Sequence, residues 1–438
     1  MAYAIDLFCG AGGMSEGILQ AGFQILFSSD INESVEKTYV NRHEQLGLRQ
    51  GIETYYHRCD IKDLTGKIIY DKISKLKMFE GRTIPKIDAI FGGPPCQGFS
   101  RAGRRNCDDP RNMLFREYLR VINELKPNYV VLENVVGISD TRLNGYVGVT
   151  GVSYEDGLTV PEILNQEFEL IGYNMLKPKI LNAAKFGVPQ RRNRFITIAH
   201  KKGTKAPSYP RPTHHEKDMV TVKDAIGDLI LEKDVRNKIN PTPSKFQLES
   251  QNGRTPDVNG NPIPCQKINN SKLSRHLPII KERFSLFKEG EDGTKIKQRI
   301  LSEGIDISNK PYLMDHIKDN TTFSGEEIIE RFKKGDVDDK LIQLLLTKKN
   351  IRSRLDKNKP SPTIMTLPDD YISPFEDRIF SVRESARIQS FDDSFEFLGK
   401  RTTGGLRRRV EVPQYSQVGN AVPPLLAKAI ACEILKVS

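Results

Sequence analysis

Residues 1–200 alternate short apolar runs with amphipathic stretches, and this alternation limits the possible folds more than any other feature. "YAIDLF", "FQILFSSD", "YYHRCD", "IDAIF" and "NYVVLEN" have the length and composition of strands, and "NMLFREYLRVINELK" carries the apolar period of a helix. Strands joined through helices form βαβ units, so the expected class is α/β: a doubly wound, mostly parallel sheet covered on both faces. Asp30, Asp60, Cys96 and Glu133 each fall at or just past the last apolar residue of a run. Open α/β sheets bind ligands outside the carboxyl ends of their strands, so these four side chains can converge on one crevice.

The texture changes after residue 200. "KKGTKAPSYPRPTHH", "NPTPSKF" and "NGRTPDVNGNPIPC" are dense in Pro, Gly and Asn, which predicts a smaller, loop-rich second domain. Of a formal charge of +11, most arises there: residues 201–360 hold 32 Lys+Arg against 23 Asp+Glu. A basic face on a near-neutral body suits a polyanion, and equally suits a solvated surface. "SVRESARIQSF" then gives Ser381 and Glu384 capping-box spacing, and "VGNAVPPLLAKAIACEIL" sets prolines at a helix start before an apolar face. The expected division is residues 1–200 plus 416–438 as the catalytic domain, 201–380 as the second domain, and 381–415 as a bracing helix and hinge.

Several classes are excluded. No run approaches the roughly 18 apolar residues of a membrane span, and the N-terminus lacks the basic start of a secretory signal, so a soluble, cytoplasmic chain is expected. Six scattered cysteines without a C-x-x-C pair suggest neither a disulfide framework nor a zinc site, and seven scattered histidines add no metal signal.

"AIDLFCGAGGMSEG" reads as strand, glycine turn and helix start. Ser15 stands where the dinucleotide fingerprint needs its third glycine, which disfavours a pyrophosphate and a nicotinamide oxidoreductase. A smaller nucleotide bearing a carboxylate fits better, with Asp30 able to accept from ribose hydroxyls and Asp60 from an adenine amino group. S-adenosylmethionine offers all three features; other nucleotides and a purely structural turn stay open. In "GGPPCQGFS", Pro94 and Pro95 stiffen the backbone before Cys96, and Gly98 frees the segment behind it. A free thiol, with a pKa of ~8.5, needs nearby positive charge to act as a nucleophile. Arg101, Arg104, Arg105 and Arg111 follow closely. Glu133 in "LENV" can donate to or accept from a ring nitrogen, and Arg192 and Arg194 in "PQRRNRF" share a face if the segment is extended.

Taken in order, "DLFCGAGGMSEG", "GGPPCQGFS", "LENVVG", "PQRRNRF", "SVRESARIQSF" and "VGNAVPP" closely resemble the successive motifs of the DNA (cytosine-5) methyltransferases, particularly the bacterial restriction-modification enzymes. "TVKDAIGDL" adds a weaker match. The resemblance covers residues 1–200 and 360–438. It implies the S-adenosylmethionine-dependent methyltransferase fold, with residues 235–355 in the place of the target-recognition region. It also implies transfer of a methyl group to C5 of a cytosine flipped out of double-stranded DNA. Cys96 would attack C6, Glu133 would stabilise the adduct at N3, and Arg192, with Arg194, would hold developing charge. Phe8, Gly10, Gly12, Asp30, Asp60 and Asn420 are the implied cofactor contacts, and Gln97, Ser100 and Gln190 the implied substrate contacts. Arg387 is expected to be structural, and Lys348, Lys349, Arg352 and Arg354 to meet phosphates. No metal is required; a monomer is expected, with any restriction endonuclease acting separately. A tRNA cytosine-5 methyltransferase of the same fold and a non-catalytic DNA-binding protein are the rivals. The stretch 144–162 departs from the pattern and is expected to be a surface excursion.

Overall fold

A computed structural model describes residues 1–95, 114–347, 352–403, 407 and 411–438. Cys96, Gln97, Ser100, the four arginines that follow them, and Lys348 and Lys349 lie outside the described residues.

Five of the apolar runs are strands: β1 (Ala2–Leu7), β2 (Phe23–Asp30), β3 (Tyr55–Arg58), β4 (Ala89–Gly92) and β5 (Tyr129–Val135). Between and after them run helices α1 (Gly13–Ala21), α2 (Glu33–Gln45), α3 (Gly66–Ser74) and α4 (Leu114–Leu125). The hairpin β6 (Arg142–Leu143) and β7 (Leu158–Thr159) precedes α5 (Val160–Leu170), and β8 (Tyr173–Met175), β9 (Lys179–Asn182) and β10 (Asn193–Lys201) complete the first 200 residues. The main sheet has the order β3-β2-β1-β4-β5-β10-β8, with β9 also on β10. It is parallel from β3 through β5 and antiparallel beyond. The chain leaves β1 first towards β2 and later towards β4, so the switch point lies between β1 and β4. Both the glycine turn and the Pro-Pro segment leave the sheet there, as ligand sites of such sheets require.

The excursion at 144–162 packs down onto the catalytic body. Tyr146 is 2% exposed and stacks on Phe115 at the start of α4, with ring centroids 5.3 Å apart. Glu167, fully buried on α5, accepts from the Val149 N–H at 2.7 Å and from the Tyr154 hydroxyl.

Beyond β10 come α6 (Val222–Ile226), α7 (Lys233–Ile239) and α8 (Lys245–Asn252), with irregular chain at 253–277. Residues 278–346 differ from the loop-rich expectation. They form five short helices, α9 (Pro278–Ser285), α10 (Gly293–Glu303), α11 (Pro311–Asp319), α12 (Gly325–Lys334) and α13 (Asp339–Leu346). Side chains of Asp292, Ser324 and Asp338 cap three of them, and Ile296, Ile300, Leu313, Ile317, Ile328, Phe332 and Leu345 fill a separate apolar core. The short strands β11 (Ser353–Arg354) and β12 (Tyr371–Ile372) lead back to α14 (Val382–Ile388), α15 (Gln414–Asn420) and α16 (Pro424–Leu435). The Ser381–Glu384 capping box forms, and Pro424 opens α16. By composition the 22-residue stretch Gln414–Leu435 is apolar enough to cross a membrane, but it bends at 421–423, and 61% of its most apolar window is buried. It is a core element: α16 lies along α1 and closes the sheet's second apolar cluster.

Arg352 and Arg354 are not where the sequence reading puts them. Both are 9% exposed. Arg354 donates to the carbonyls of Phe284, Phe287 and Ser373 and pairs with Asp377, while Arg352 donates to the Asp369 carbonyl and lies over the Phe284 ring. They fasten β11 to α9, and both guanidinium groups are buried against the protein, away from a surface where a phosphate would sit.

Candidate active site

The glycine turn after β1 is held open by its backbone. Phe8 has φ 57° and Gly10 φ 54°, a left-handed region that costs Phe8 strain and Gly10 little. A Cβ at Gly10 would meet nothing within 4 Å, so the turn faces free space. Asp30, at the end of β2, accepts from the Gly10 N–H at 3.0 Å and the Asn32 N–H at 2.9 Å. Burial raises its pKa, and those two N–H groups partly oppose the shift. Asp60 follows β3, half-buried, and accepts from the Lys62 N–H at 3.0 Å. The Cys59 N–H donates to the Asp30 carbonyl, so Phe8, Gly10, Gly12, Asp30 and Asp60 line up along the carboxyl edges of three adjacent strands. Asn420 joins them from the far end of the chain: it is exposed at the end of α15, and the Val422 carbonyl just after it packs against Gly13 of α1. Ile31, unnoticed in the sequence, stands 65% exposed directly after Asp30. Its signal was an apolar residue at the point where the chain leaves the sheet.

Beneath the turn Asp6 is 1% exposed and accepts from the Ser15 hydroxyl, while its Oδ1 has no hydrogen-bond partner among the described residues. Burial pushes its pKa up to about 7, against the Ser15 bond and with help from Asp30.

On the other side of the switch point, Glu133 of β5 is 9% exposed and lies diagonal to Arg194 of β10, since Ile196 is its direct cross-strand partner. Arg194 Nε meets Glu133 Oε1 at 2.7 Å. The segment leading to Cys96 is docked against the same carboxylate. A Cβ at Gly93 would stand 3.1 Å from Glu133 Oε2, and Asn134 Nδ2 donates to the Pro94 carbonyl at 3.1 Å.

Gln190, Arg192 and Arg194 alternate along one face, as the extended spacing predicts, but they do not share a task. Gln190 is fully buried, donating to the Gln389 side chain at 2.7 Å and accepting from the Ile364 N–H at 2.8 Å. Arg192, 3% exposed, donates to the Gly419 carbonyl at 3.0 Å and the Ile364 carbonyl at 3.4 Å. Its burial holds the guanidinium pKa well below the usual value, Arg194 adds to that and Glu133 opposes it. Of the row, only Arg194 touches Glu133. Arg387 is structural as expected: fully buried, it pairs with Asp393 and Asp228 and donates to the Ala225 carbonyl.

Among the described residues no three His, Cys, Asp or Glu side chains converge as a metal site. The groups present, two accepting carboxylates, an open glycine turn and an exposed Ile31, fit a nucleoside carrying hydroxyls, an amino group and an aromatic ring.

Comparison with known proteins gives the same picture over the whole chain. The family described as C-5 cytosine-specific DNA methylase matches residues 3–436. The Type II methyltransferase M1.HphI of Haemophilus parahaemolyticus is 32% identical over 99% of this chain and 87% of its own length. M.DdeI of Desulfomicrobium norvegicum, also a Type II methyltransferase, is 30% identical over 98% of this chain and 87% of its own. In fold, a prophage-encoded protein from E. coli assigned as a DNA modification methyltransferase superposes with a TM-score of 0.62 at 24% identity, covering 100% of this chain and 99% of that one. The chain belongs to the C-5 cytosine-specific DNA methylase family and is a DNA (cytosine-5) methyltransferase of restriction-modification type.

Proposed function

We propose that this enzyme methylates C5 of one cytosine in a specific double-stranded DNA sequence, through a transient bond between Cys96 and C6 of a flipped-out base. The observation that carries the reading is the Glu133–Arg194 pair with Gly93 and Pro94 docked against it. These contacts hold Pro94, two residues before Cys96 in the sequence, beside a carboxylate whose orientation Arg194 fixes. Thiolate addition to C6 breaks the ring's aromaticity and places the electron pair on C5, while Glu133 hydrogen-bonds N3 and stabilises the charge arriving there. S-adenosylmethionine, when bound, supplies the electrophilic methyl group. C5 takes the methyl, the C5 proton leaves to a base, and the pair from that C–H bond expels Cys96, restoring the ring. Phe8, Gly10, Gly12, Asp30, Asp60, Ile31 and Asn420 would hold the donor, with Asp30 on ribose hydroxyls, Asp60 on the adenine amino group and Ile31 under the ring. Arg192 we assign to holding the 364 and 419 segments, with Gln190 beside it. Gln97 and Ser100 stay proposed substrate contacts by resemblance. The enzyme acts as a monomer in the bacterial cytoplasm, and any restriction endonuclease reading the same site acts separately.

Bisulfite sequencing of plasmid DNA from cells expressing the chain identifies the methylated sequence. A duplex with 5-fluorocytosine at that position, given enzyme and S-adenosylmethionine, then forms a denaturant-resistant conjugate, because fluorine cannot leave as the proton does. Conjugate formation or methylation by a Cys96→Ser variant at the wild-type rate overturns the proposal, and methyl transfer to tRNA in place of the duplex favours the rival substrate.

A further inference from the structure

Asn420 is exposed, yet the turn presenting it is gripped from inside. Gln389, at the C-terminal end of α14 and fully buried, donates its side-chain N–H groups to the Val418 carbonyl at 2.7 Å and the Ala421 carbonyl at 3.3 Å. Arg192 takes the carbonyl between them, that of Gly419. All three carbonyls flanking the Asn420 peptide unit are therefore bound by two buried side chains from distant parts of the chain. The Gln389 oxygen accepts from Gln190 at 2.7 Å, which fixes the amide so that its nitrogen faces the turn. The turn cannot slide, because a Cβ at Gly419 would already lie 2.6 Å from the Met365 carbonyl.

Around Gln389 the core is apolar: Ile388, Phe391, Val418 and Ala421 belong to one cluster. Leu or Met would fill that place without desolvating an amide, whose burial is unfavourable unless every polar atom is bonded. Here both donors go to the Asn420 turn. We propose that Gln389 is a positioning residue that fixes where Asn420 stands, and so couples the bracing helix α14 to binding of the methyl donor. The inference rests on the reading of Asn420 as a donor contact.

Titration calorimetry of the full chain with S-adenosylhomocysteine tests it on four proteins: wild type, Asn420→Ala, Gln389→Met and the double variant. Each single change weakens binding about three- to tenfold, the scale of one lost hydrogen bond. The double variant binds within about twofold of Asn420→Ala alone, since the placement of an absent side chain no longer matters. A purely structural Gln389 would lower the melting temperature without that coupling, so fully multiplicative losses, or wild-type affinity in Gln389→Met, overturn the inference. Wild-type affinity in Asn420→Ala identifies the reading of Asn420 as the failed step and removes the inference with it. If Gln389→Met does not fold, Gln190→Met is paired with Asn420→Ala instead. It leaves both Gln389 donors in place, frees that amide's orientation and also takes the acceptor from the Ile364 N–H, so a loss of affinity that again vanishes in the Asn420→Ala background is expected, and a multiplicative one overturns the proposal.

Discussion

The crevice edge of the sheet and the seam that braces it from behind use the same residue types to opposite ends. At the crevice, Glu133 pairs with Arg194, its one cationic partner among the described residues, and Gly10 and Ile31 face open space. At the seam, Arg387 pairs with two carboxylates and donates to a carbonyl, Arg383 donates to three carbonyls, and Gln190 and Gln389 close on each other. A polar group that retains capacity for a ligand performs chemistry; one whose capacity is filled by protein holds the site in place. Arg194 meets Glu133 at the crevice, whereas Arg192, two residues away, is buried and holds two backbone carbonyls, its Nε without a partner among the described residues.

The largest expected effect separates the two regions most sharply. Glu133→Gln keeps size and packing and removes the carboxylate, so methyl transfer falls on the order of a hundred- to ten-thousandfold, as for loss of a positioned acid-base group. The urea midpoint falls by less than on deleting a whole buried cation, because the glutamine amide oxygen can still accept from Arg194 Nε. A variant that loses stability instead would move Glu133 into the seam.

Arg387→Ala should do the reverse. It takes from Asp228 its paired cation and leaves Asp393 with Arg383 at 3.8 Å, and breaking a buried pair by deleting one partner costs about 3–5 kcal/mol. Urea denaturation would show the loss, while the protein that remains folded would turn over at close to the wild-type rate. Low turnover at full stability would break the comparison from the other side.

Asp6 tests whether the crevice half hides a strained group of its own. Its folded pKa of about 7 lies above the ordinary 3.8, so the folded state binds the proton more tightly than the unfolded state. That contribution is complete below about pH 4 and is lost as pH rises through 7, so stability should decline across this window. Asp6→Asn should flatten the decline in urea titrations run between pH 4 and 8. An unchanged slope would show that other groups cause it.

The catalytic half was legible because its signals are local and repeated: Asp30 ends β2, Asp60 follows β3 and Glu133 stands near the end of β5, as the alternation put them. What the sequence could not show was which segments pack against a given side chain. Gln190 and Arg192 look like site residues until the 364 segment donates to the Gln190 oxygen and the Ile364 and Gly419 carbonyls accept from the Arg192 Nη groups. Arg352 and Arg354 look like phosphate contacts until α9 presents its carbonyls. The helices of residues 278–346 were hidden differently, since each is 8–11 residues long and Gly, Pro and Asn between them read as loop. Yet Ser324 and Glu327 have the same spacing as Ser381 and Glu384, and both pairs form full capping boxes. The signal was present in both places and was read only where motifs surrounded it.

That unread cap supplies the smallest prediction. Ser324→Ala removes the side-chain acceptor for the Glu327 N–H at the start of α12 and should lower stability by about 1 kcal/mol, the usual cost of losing an N-cap. Ile328 and Phe332 hang from that helix in the separate apolar core, so the loss should appear first as faster amide exchange across α9–α13. Exchange along β1, β4 and β5 should remain unchanged if the helical cluster opens by itself. If the sheet amides accelerate in step with α12, the two regions unfold as one cooperative unit, and the Arg352 and Arg354 fastenings between β11 and α9 would be the contacts that join them.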